Sequence, residues 1–322
     1  MQKILIIRLS SMGDIVLTSP IIRSLKLQQR AEIHYLLRPQ YSDVLKNNPY
    51  VDRIIPYSRS FSEIVLKLKS EEYDFIVDLQ GNLISSLLKY KLKKKAFTIK
   101  KETIKKLLFI YFNINLLNSH VVDRYFKVLS SLKTINDNKG LDFFLEKKIK
   151  FDFDIPPNYI AWSIGGSYDN KQLSVDQISS VCDSLSIPIV FLGGTKEEIK
   201  VEKIRNKSKH KSIHNLAGKL SIDQSAFFIK NSLLVLTNDT GLMHIASSFK
   251  KIILSFWGCT KPNQGFRPYM ADESSREIVY QPSYAPCSKY GKRCKWSKSG
   301  CVKNIKPELI INNLNEILLE SI

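Results

Sequence analysis

In residues 233–258, LLVLTNDTGLMHIASSFKKIILSFWG, an apolar run stops abruptly at an aspartate, a threonine and a glycine. Residues 233–236 read as a buried strand, 237–241 as a polar turn, the next stretch as a short helix, and 252–256 as a second strand. A turn at the carboxyl end of a buried parallel strand is where open α/β sheets bind ligands. Asp239 can accept from hydroxyls, Thr240 can donate or accept, and Gly241 lets the backbone N–H groups of a new helix come close to an anion. His244 falls one turn into that helix, on the face shared with Thr240 and Gly241. A packing account fits the same letters equally well, with Asn-Asp-Thr as a helix cap and His244 as a core residue.

Two further constellations invite chemistry. Residues 3–9 form a β-branched, apolar run that ends in Ser10-Ser11-Met12-Gly13-Asp14, after which the pattern turns helical. A carboxylate at the mouth of this first loop, among small residues, can take a proton from an incoming hydroxyl; it can also cap the helix that starts at Ile15. In the second half, Gly166, Ser167 and Lys171 combine free backbone N–H groups, a hydroxyl and an ammonium, which suits a diphosphate. The spacing is not that of a Walker loop, so ATP hydrolysis is not implied. Lys171 as a solvated loop lysine is the competing account.

The cysteines are harder to place. Cys182 sits in a helical pattern and Cys259 follows a strand, so both are expected to be packing residues. Cys287, Cys294 and Cys301 are evenly spaced in a basic, loop-like segment and can hold a metal if a fourth ligand comes from elsewhere. Their spacing is wider than that of ribbon-type zinc sites, so no metal is expected.

The elements that must position these groups follow from alternation. After the first strand, candidates at 33–37, 53–57 and 75–79 are separated by helical patterns at 41–47, 62–69 and 83–90; such alternation builds a parallel sheet covered by helices. Asp78-Leu79-Gln80-Gly81-Asn82 is a polar turn on the same sheet edge as Asp14, and His120 opens a helix running through Leu132. Residues 145–158 lose their period and carry Pro156-Pro157, which reads as a linker. A second series then gives strands at 159–164, 187–192 and 212–216, with turns at Gly165-Gly166-Ser167, Gly193-Gly194-Thr195 and Ala217-Gly218-Lys219. Residues 307–322 form an amphipathic helix with Pro307 at its start. The domains expected are residues 1–150 and 151–322.

Composition bounds the rest. The chain has 322 residues, 43% hydrophobic and 25% charged, enough for two ordinary domains. The apolar run before Arg8 is too short for a signal peptide or a span, and no later run reaches spanning length, so a cytoplasmic protein is expected. The formal charge is +19. Much of the excess falls on Lys89, Lys91, Lys93, Lys94, Lys95, Lys100, Lys101, Lys105 and Lys106, opposed by Glu102 alone. This run can serve an anionic membrane, an acidic substrate or nucleic acid, or can simply be solvated lysine. Two function classes are disfavoured: a nucleotide-dependent oxidoreductase, because no GxGxxG follows the first strand, and a non-catalytic nucleic-acid binder, because aromatics are not interleaved with the lysines in a known module.

Two α/β halves with polar turns at their strand ends resemble the GT-B architecture, two Rossmann-like domains facing across a cleft, with a C-terminal helix packing back. The opening Ile6-Ile7-Arg8-Leu9-Ser10-Ser11-Met12-Gly13-Asp14 with Thr18-Ser19-Pro20 is similar to that of bacterial heptosyltransferases, glycosyltransferase family nine. Asn238-Asp239-Thr240-Gly241-Leu242-Met243-His244 is similar to their donor-site signature. DLQGN at Asp78, HVVDRY at His120, the Lys171 loop, AGKLS at Ala217 and the cysteine-bearing tail agree more weakly.

The resemblance implies an inverting transfer of heptose, or a related sugar, from an ADP-sugar to a lipopolysaccharide core or lipid A precursor acceptor. Asp14 matches the general base, with Ser11, Met12 and Gly13 beside the acceptor. Lys171 matches a lysine on the donor diphosphate, and Gly166 and Ser167 fall in the same loop. Asp239, Thr240, Gly241 and His244 match nucleotide and phosphate contacts, Leu220 a backbone contact to adenine, and Glu197 a ribose partner. No resident metal or other cofactor is implied. The basic run is expected to face acidic sugars and the anionic inner face of the inner membrane. The loop GGSYDNKQL lacks the Arg-Trp or His-Trp that often follows the lysine in this family, which leaves another sugar on the same nucleotide-sugar chemistry as the alternative.

Overall fold

The structure, a computed structural model, describes residues 1–57, 60–281 and 283–321. The chain divides into two compact units, Met1–Glu102 with Ser119–Glu146, and Thr103–Asn118 with Lys147–Ile322.

The first unit holds a five-stranded sheet of β1 (Lys3–Ile7), β2 (Glu32–Leu37), β3 (Arg53–Pro56), β4 (Phe75–Asp78) and β5 (Lys95–Thr98). All its pairings are parallel and the order is β3-β2-β1-β4-β5. Parallel strands covered on both faces need near-continuous apolar sequence, which KILII supplies for β1. Leu5, Ile7, Leu36, Ile55, Ile64 and Ile76 form the core of one face. Strand order reverses between β1 and β4, and such a switch point is where open α/β sheets bind ligands, outside the carboxyl ends of the strands.

The second unit repeats the plan with six strands. These are β6 (Ile160–Ser163), β7 (Ile189–Leu192), β8 (Ile213–Asn215), β9 (Val235–Asn238), β10 (Ile253–Trp257) and β11 (Arg276–Val279). They run parallel in the order β11-β10-β9-β6-β7-β8, the doubly wound Rossmann order, with reversal between β6 and β9. Trp162 stacks on Phe191 and lies tilted against Phe256 in the core, and the helix Pro307–Ser321 adds Ile310, Leu314 and Ile317 to it. Each of those three side chains is worth roughly 1.5–3 kcal/mol when fully buried. Ile322, which the sequence pattern includes in that helix, lies outside the described residues.

Several expectations are corrected. β5 was hidden inside the lysine run: Lys95 is exposed and Phe97 packs edge-on against Phe75, as suits an edge strand protected by lysine. β11 has only four residues with an Arg and a Glu, too polar for the strand pattern. The helix expected at 41–47 is a 3-10 turn, Pro39–Val44. The helix from His120 ends at Val128, and a separate turn covers Ser130–Leu132. The segment Thr103–Asn118 belongs with the second unit rather than with the residues around it, because Phe109 and Leu117 bury against Ala285. The irregular stretch at 145–158 makes aromatic contacts of its own, with Phe151 5.0 Å from Phe227 and 5.2 Å from Phe228.

Candidate active site

At the switch point of the first sheet, Arg8 leaves β1 and organises the loop after it. Its guanidinium donates to Ser10 O (2.9 Å) and to Leu79 O (2.5 Å) at the end of β4, and pairs with Asp14 Oδ1 at 2.7 Å. Leu9 N–H donates to Gln80 Oε1 at 2.9 Å, a second tie between the two loops. Arg8 also lies over the Tyr125 ring, 5.9 Å from its centroid, on the helix Val121–Val128 that His120 caps. The DLQGN and HVVDRY segments are thus the supports of the Asp14 loop.

Asp14 is at the third position of the short helix Met12–Val16, whose N-cap is Ser11. The cap therefore sits three residues earlier than expected, and Asp14 reaches back from inside the helix. Its Oδ2 accepts from Ser11 N–H at 3.1 Å and from the Ser11 hydroxyl at 2.8 Å. Burial pushes the Asp14 carboxyl up, but the Arg8 guanidinium and the two Ser11 donors outweigh it and hold the group below the usual carboxylate range. The carboxylate stays ionised and aimed, with Ser11, Met12 and Gly13 around it.

Asp78, buried at the end of β4, accepts from Gln80 N–H (3.0 Å) and Gly81 N–H (2.8 Å) and pairs with Lys89 at 2.7 Å. Lys89 also donates to Thr98. The lysine run is therefore not one solvated patch: Lys89 is used internally, and Lys105 and Lys106 belong to the other unit.

At the switch point of the second sheet, Lys171 Nζ meets Asp239 Oδ2 at 2.5 Å, and Thr260 donates to the same oxygen at 3.0 Å. Lys171 is only 9% exposed, so the solvated-lysine account fails. Asn238 Nδ2 donates to Ile164 O (3.0 Å) and Gly165 O (3.1 Å), pinning the loop after β6 to the end of β9. Thr240 caps the helix Gly241–Ser248, accepting from Met243 N–H at 3.4 Å, with the Ser163 and Thr237 hydroxyls at 3.4 and 3.3 Å. Asp239, Thr240, Gly241 and Gly166 are partly exposed and Ser167 is exposed, which leaves a rim of hydroxyl, carboxylate and N–H groups around one ammonium. That combination can hold a diphosphate.

His244 is buried at 4% exposure, as a core histidine would be. Glu197 is the first-turn residue that caps the helix Thr195–Lys207, with Oε2 2.9 Å from Gly194 N. Its carboxyl also borders the neighbouring loop, since a Cβ on Gly165 would lie 3.5 Å from Glu197 Cδ. Leu220 is half-buried in the loop between β8 and the helix Ile222–Asn231. The Lys171, Asp239, Thr240 and Glu197 turns thus share one sheet edge.

Sequence reasoning missed Arg8, Thr260 and Lys200. Lys200 supports the Lys171 loop from inside, donating to Gln172 Oε1 (3.0 Å) and Leu173 O (2.6 Å), and burial pulls its amine down to about 8. A lysine three residues from a first-turn Glu carries no local signal of that role. Cys259, expected to be packing alone, gathers with Cys287, Cys294 and Cys301: their sulfurs all lie within 4.8 Å of one another.

Comparison with known proteins places the chain in a family. The profile described as glycosyltransferase family 9 (heptosyltransferase) matches residues 62–296. Lipopolysaccharide heptosyltransferase 1 of Campylobacter coli is 25% identical over 290 residues, 80% of this chain and 84% of that protein. Among solved structures, a glycosyl transferase family 9 protein from Veillonella parvula superposes with a TM-score of 0.79 at 20% identity, over 99% of this chain and 97% of that one. The E. coli ADP-heptose lps heptosyltransferase II superposes with a TM-score of 0.75 at 19% identity, over 99% of each chain. The fold is of the GT-B class.

Proposed function

The chain belongs to glycosyltransferase family 9 (heptosyltransferase), and on that premise we propose that it transfers a heptose, or a related sugar, from an ADP-sugar to a lipopolysaccharide core acceptor. The observation that carries the donor half is the Lys171–Asp239 pair at a Rossmann switch point, ringed by Thr240, Thr260 and the start of the helix Gly241–Ser248. A bound diphosphate takes Asp239's place beside Lys171. Glu197 accepts from the ribose hydroxyls, and the Leu220 backbone borders the base.

The acceptor hydroxyl attacks the anomeric carbon from the face opposite the leaving group. Its oxygen forms the new glycosidic bond, the bond to the β-phosphate oxygen breaks with its electron pair, and configuration inverts. Asp14 takes the hydroxyl proton. A carboxylate held low by Arg8 is a weak base for a free alcohol, so proton transfer runs late, when the forming bond has acidified the hydroxyl. Lys171 and the backbone N–H groups at Gly166 and Gly241 stabilise the negative charge that develops on the ADP. These cationic and dipolar groups can do the electrostatic work that a metal does elsewhere.

Among the described residues no helix is long and apolar enough to cross a membrane. The helix Leu83–Leu92 turns Leu83, Leu87 and Tyr90 to solvent along one face, 45–76% exposed, beside exposed Lys91, Lys93, Lys94 and Lys95. Apolar side chains flanked by cations suit the anionic face of a bilayer, and we place this helix on the cytoplasmic face of the inner membrane. Charge reversal at Lys91, Lys93 and Lys94 is expected to abolish co-flotation with anionic vesicles at low salt while transfer to a soluble, deacylated acceptor persists; unchanged flotation refutes the contact. The function itself is tested with a panel of nucleotide sugars and truncated core acceptors. Turnover is expected with ADP-heptose, and turnover with another nucleotide sugar alone would replace the donor.

A further inference from the structure

Four thiols converge in the second unit from two stretches of chain. Cys259 follows β10, while Cys287, Cys294 and Cys301 come from the irregular segment after β11, and their sulfurs all lie within 4.8 Å of one another. Individual separations are 3.1 Å (Cys294 to Cys301), 3.5 Å (Cys287 to Cys301) and 3.9 Å (Cys287 to Cys294). Four sulfurs at about 2.3 Å from a tetrahedral centre lie roughly 3.8 Å apart. All four are free thiols, three are buried and Cys294 is half-buried. Disulfide formation joins sulfurs in pairs and gives no reason for four to meet at one point; a single ion does.

The backbone is shaped to allow the convergence. Cys287 N–H donates to Cys259 O at 3.0 Å, and a Cβ on Gly258 would fall 2.6 Å from Val302 N and 2.9 Å from Cys301 Cβ, so only glycine lets the end of β10 touch the turn at Cys301. A divalent ion with four thiolates carries a charge of −2. The segment answers it with Lys289, Lys292, Arg293, Lys295, Lys298 and the buried Lys261, whose ammonium donates to Tyr280 O at 2.5 Å.

The same segment touches the phosphate loop. Asn170 Nδ2 donates to Lys292 O at 3.0 Å, Lys303 pairs with Asp169 at 2.5 Å, and Gly291, at φ +78°, lies so close to Lys171 that a Cβ there would be 2.7 Å from Lys171 Cε. On the other side, Thr260, the residue after Cys259, donates to Asp239. The ligands thus adjoin both members of the Lys171–Asp239 pair.

We propose that Cys259, Cys287, Cys294 and Cys301 bind one tetrahedral, thiolate-preferring metal ion, zinc or iron, and that this ion holds the 287–301 segment against Lys171 so that the donor site is formed only in the loaded protein. The role is structural, because all four positions are filled by protein. The second clause rests on the donor-site reading above; the first does not.

The test begins with full-length protein, purified anaerobically without a polyhistidine tag, and analysed for metal by mass spectrometry. One equivalent of zinc or iron per chain is expected, colourless for zinc and with thiolate-to-iron absorption in the visible for iron. Less than a fifth of an equivalent of either after reconstitution, or two disulfides in place of the four thiols, overturns the metal site. Cys294→Ser, at the exposed edge of the cluster, is expected to lower metal affinity by about 10–100-fold and to weaken ADP binding with it. If metal is lost and ADP binding is unchanged, the positioning role is wrong. Gly291→Ala is expected to keep the metal and weaken ADP binding several-fold by displacing Lys171; unchanged binding also counts against positioning. Lys171→Ala separates the two readings: normal metal content with normal ADP affinity overturns the donor assignment and leaves the metal site standing.

Discussion

The two switch points carry the same chemical pair, a carboxylate against a cation, and build it in opposite ways. In the first unit Asp14 is held by Arg8 and Ser11, its near neighbours in the chain. In the second, Asp239 is held by Lys171, 68 residues before it, and by Thr260, 21 residues after. The cations differ in kind. Arg8 is a planar fork committed to Ser10, Leu79 and Asp14 at once, so Asp14 is kept in place through a reaction. Lys171 is a point charge on a flexible stem with one carboxylate partner, which it can exchange for phosphate oxygens. On the proposed mechanism the first arrangement orients a base, and the second stores a cation until an anion arrives.

The sharpest way to break this comparison is to remove the base. Asp14→Asn is expected to lower kcat by about 10²–10⁴-fold while ADP affinity stays within a factor of two. Steady-state kinetics beside calorimetric ADP titration decides it, and retained turnover removes Asp14 from its role. Lys171→Ala should do the reverse in binding, raising the Kd for ADP roughly 10–100-fold, the scale of a hydrogen bond to a charged group. Lys171→Arg should recover part of the loss, because charge matters more there than shape.

Arg8→Lys comes next in size, with kcat expected to fall about tenfold and ADP binding to be unaffected, since the fork cannot be replaced by a point charge. Without the fork the Asp14 carboxyl rises toward its ordinary value. Because the folded-state carboxyl is depressed in the wild type, its contribution to stability is present above the unfolded value of 3.8 and is lost as pH falls through the lower folded value. In the variant the acid limb of both stability and kcat should move to higher pH, and an unmoved limb would mean that Arg8 does not set the carboxyl.

The smallest effect concerns Lys200. Its amine, pulled by burial from 10.5 to about 8, is neutral in the folded protein and charged in the unfolded chain between those values, so the unfolded state binds the extra proton and stability rises with pH across that window. Thermal unfolding of the wild type, compared with Lys200→Met, should show a gain of a few degrees from pH 8 to 10 that the variant lacks. Parallel curves would place the amine in ordinary solvent.

Much of this protein was readable from local order. Alternating apolar runs and helical patterns marked nine of the eleven strands found among the described residues, because a buried parallel strand must be continuously apolar and its turn must not be. The Asp14 loop and the turn at Asp239 announced themselves for the same reason: each ends an apolar strand with polar, small residues in a few consecutive positions. β5 and β11 escaped because edge strands tolerate charge.

What only the folded chain decided are the partnerships across long separations. Nothing near Lys171 names Asp239, nothing near Cys259 names three cysteines at least 28 positions later, and nothing in residues 103–118 says that Phe109 will bury against Ala285. Backbone preference and hydrophobic period act over a turn or two of chain. Which turns meet at a sheet edge is set by strand order, and strand order is a property of the packed core as a whole.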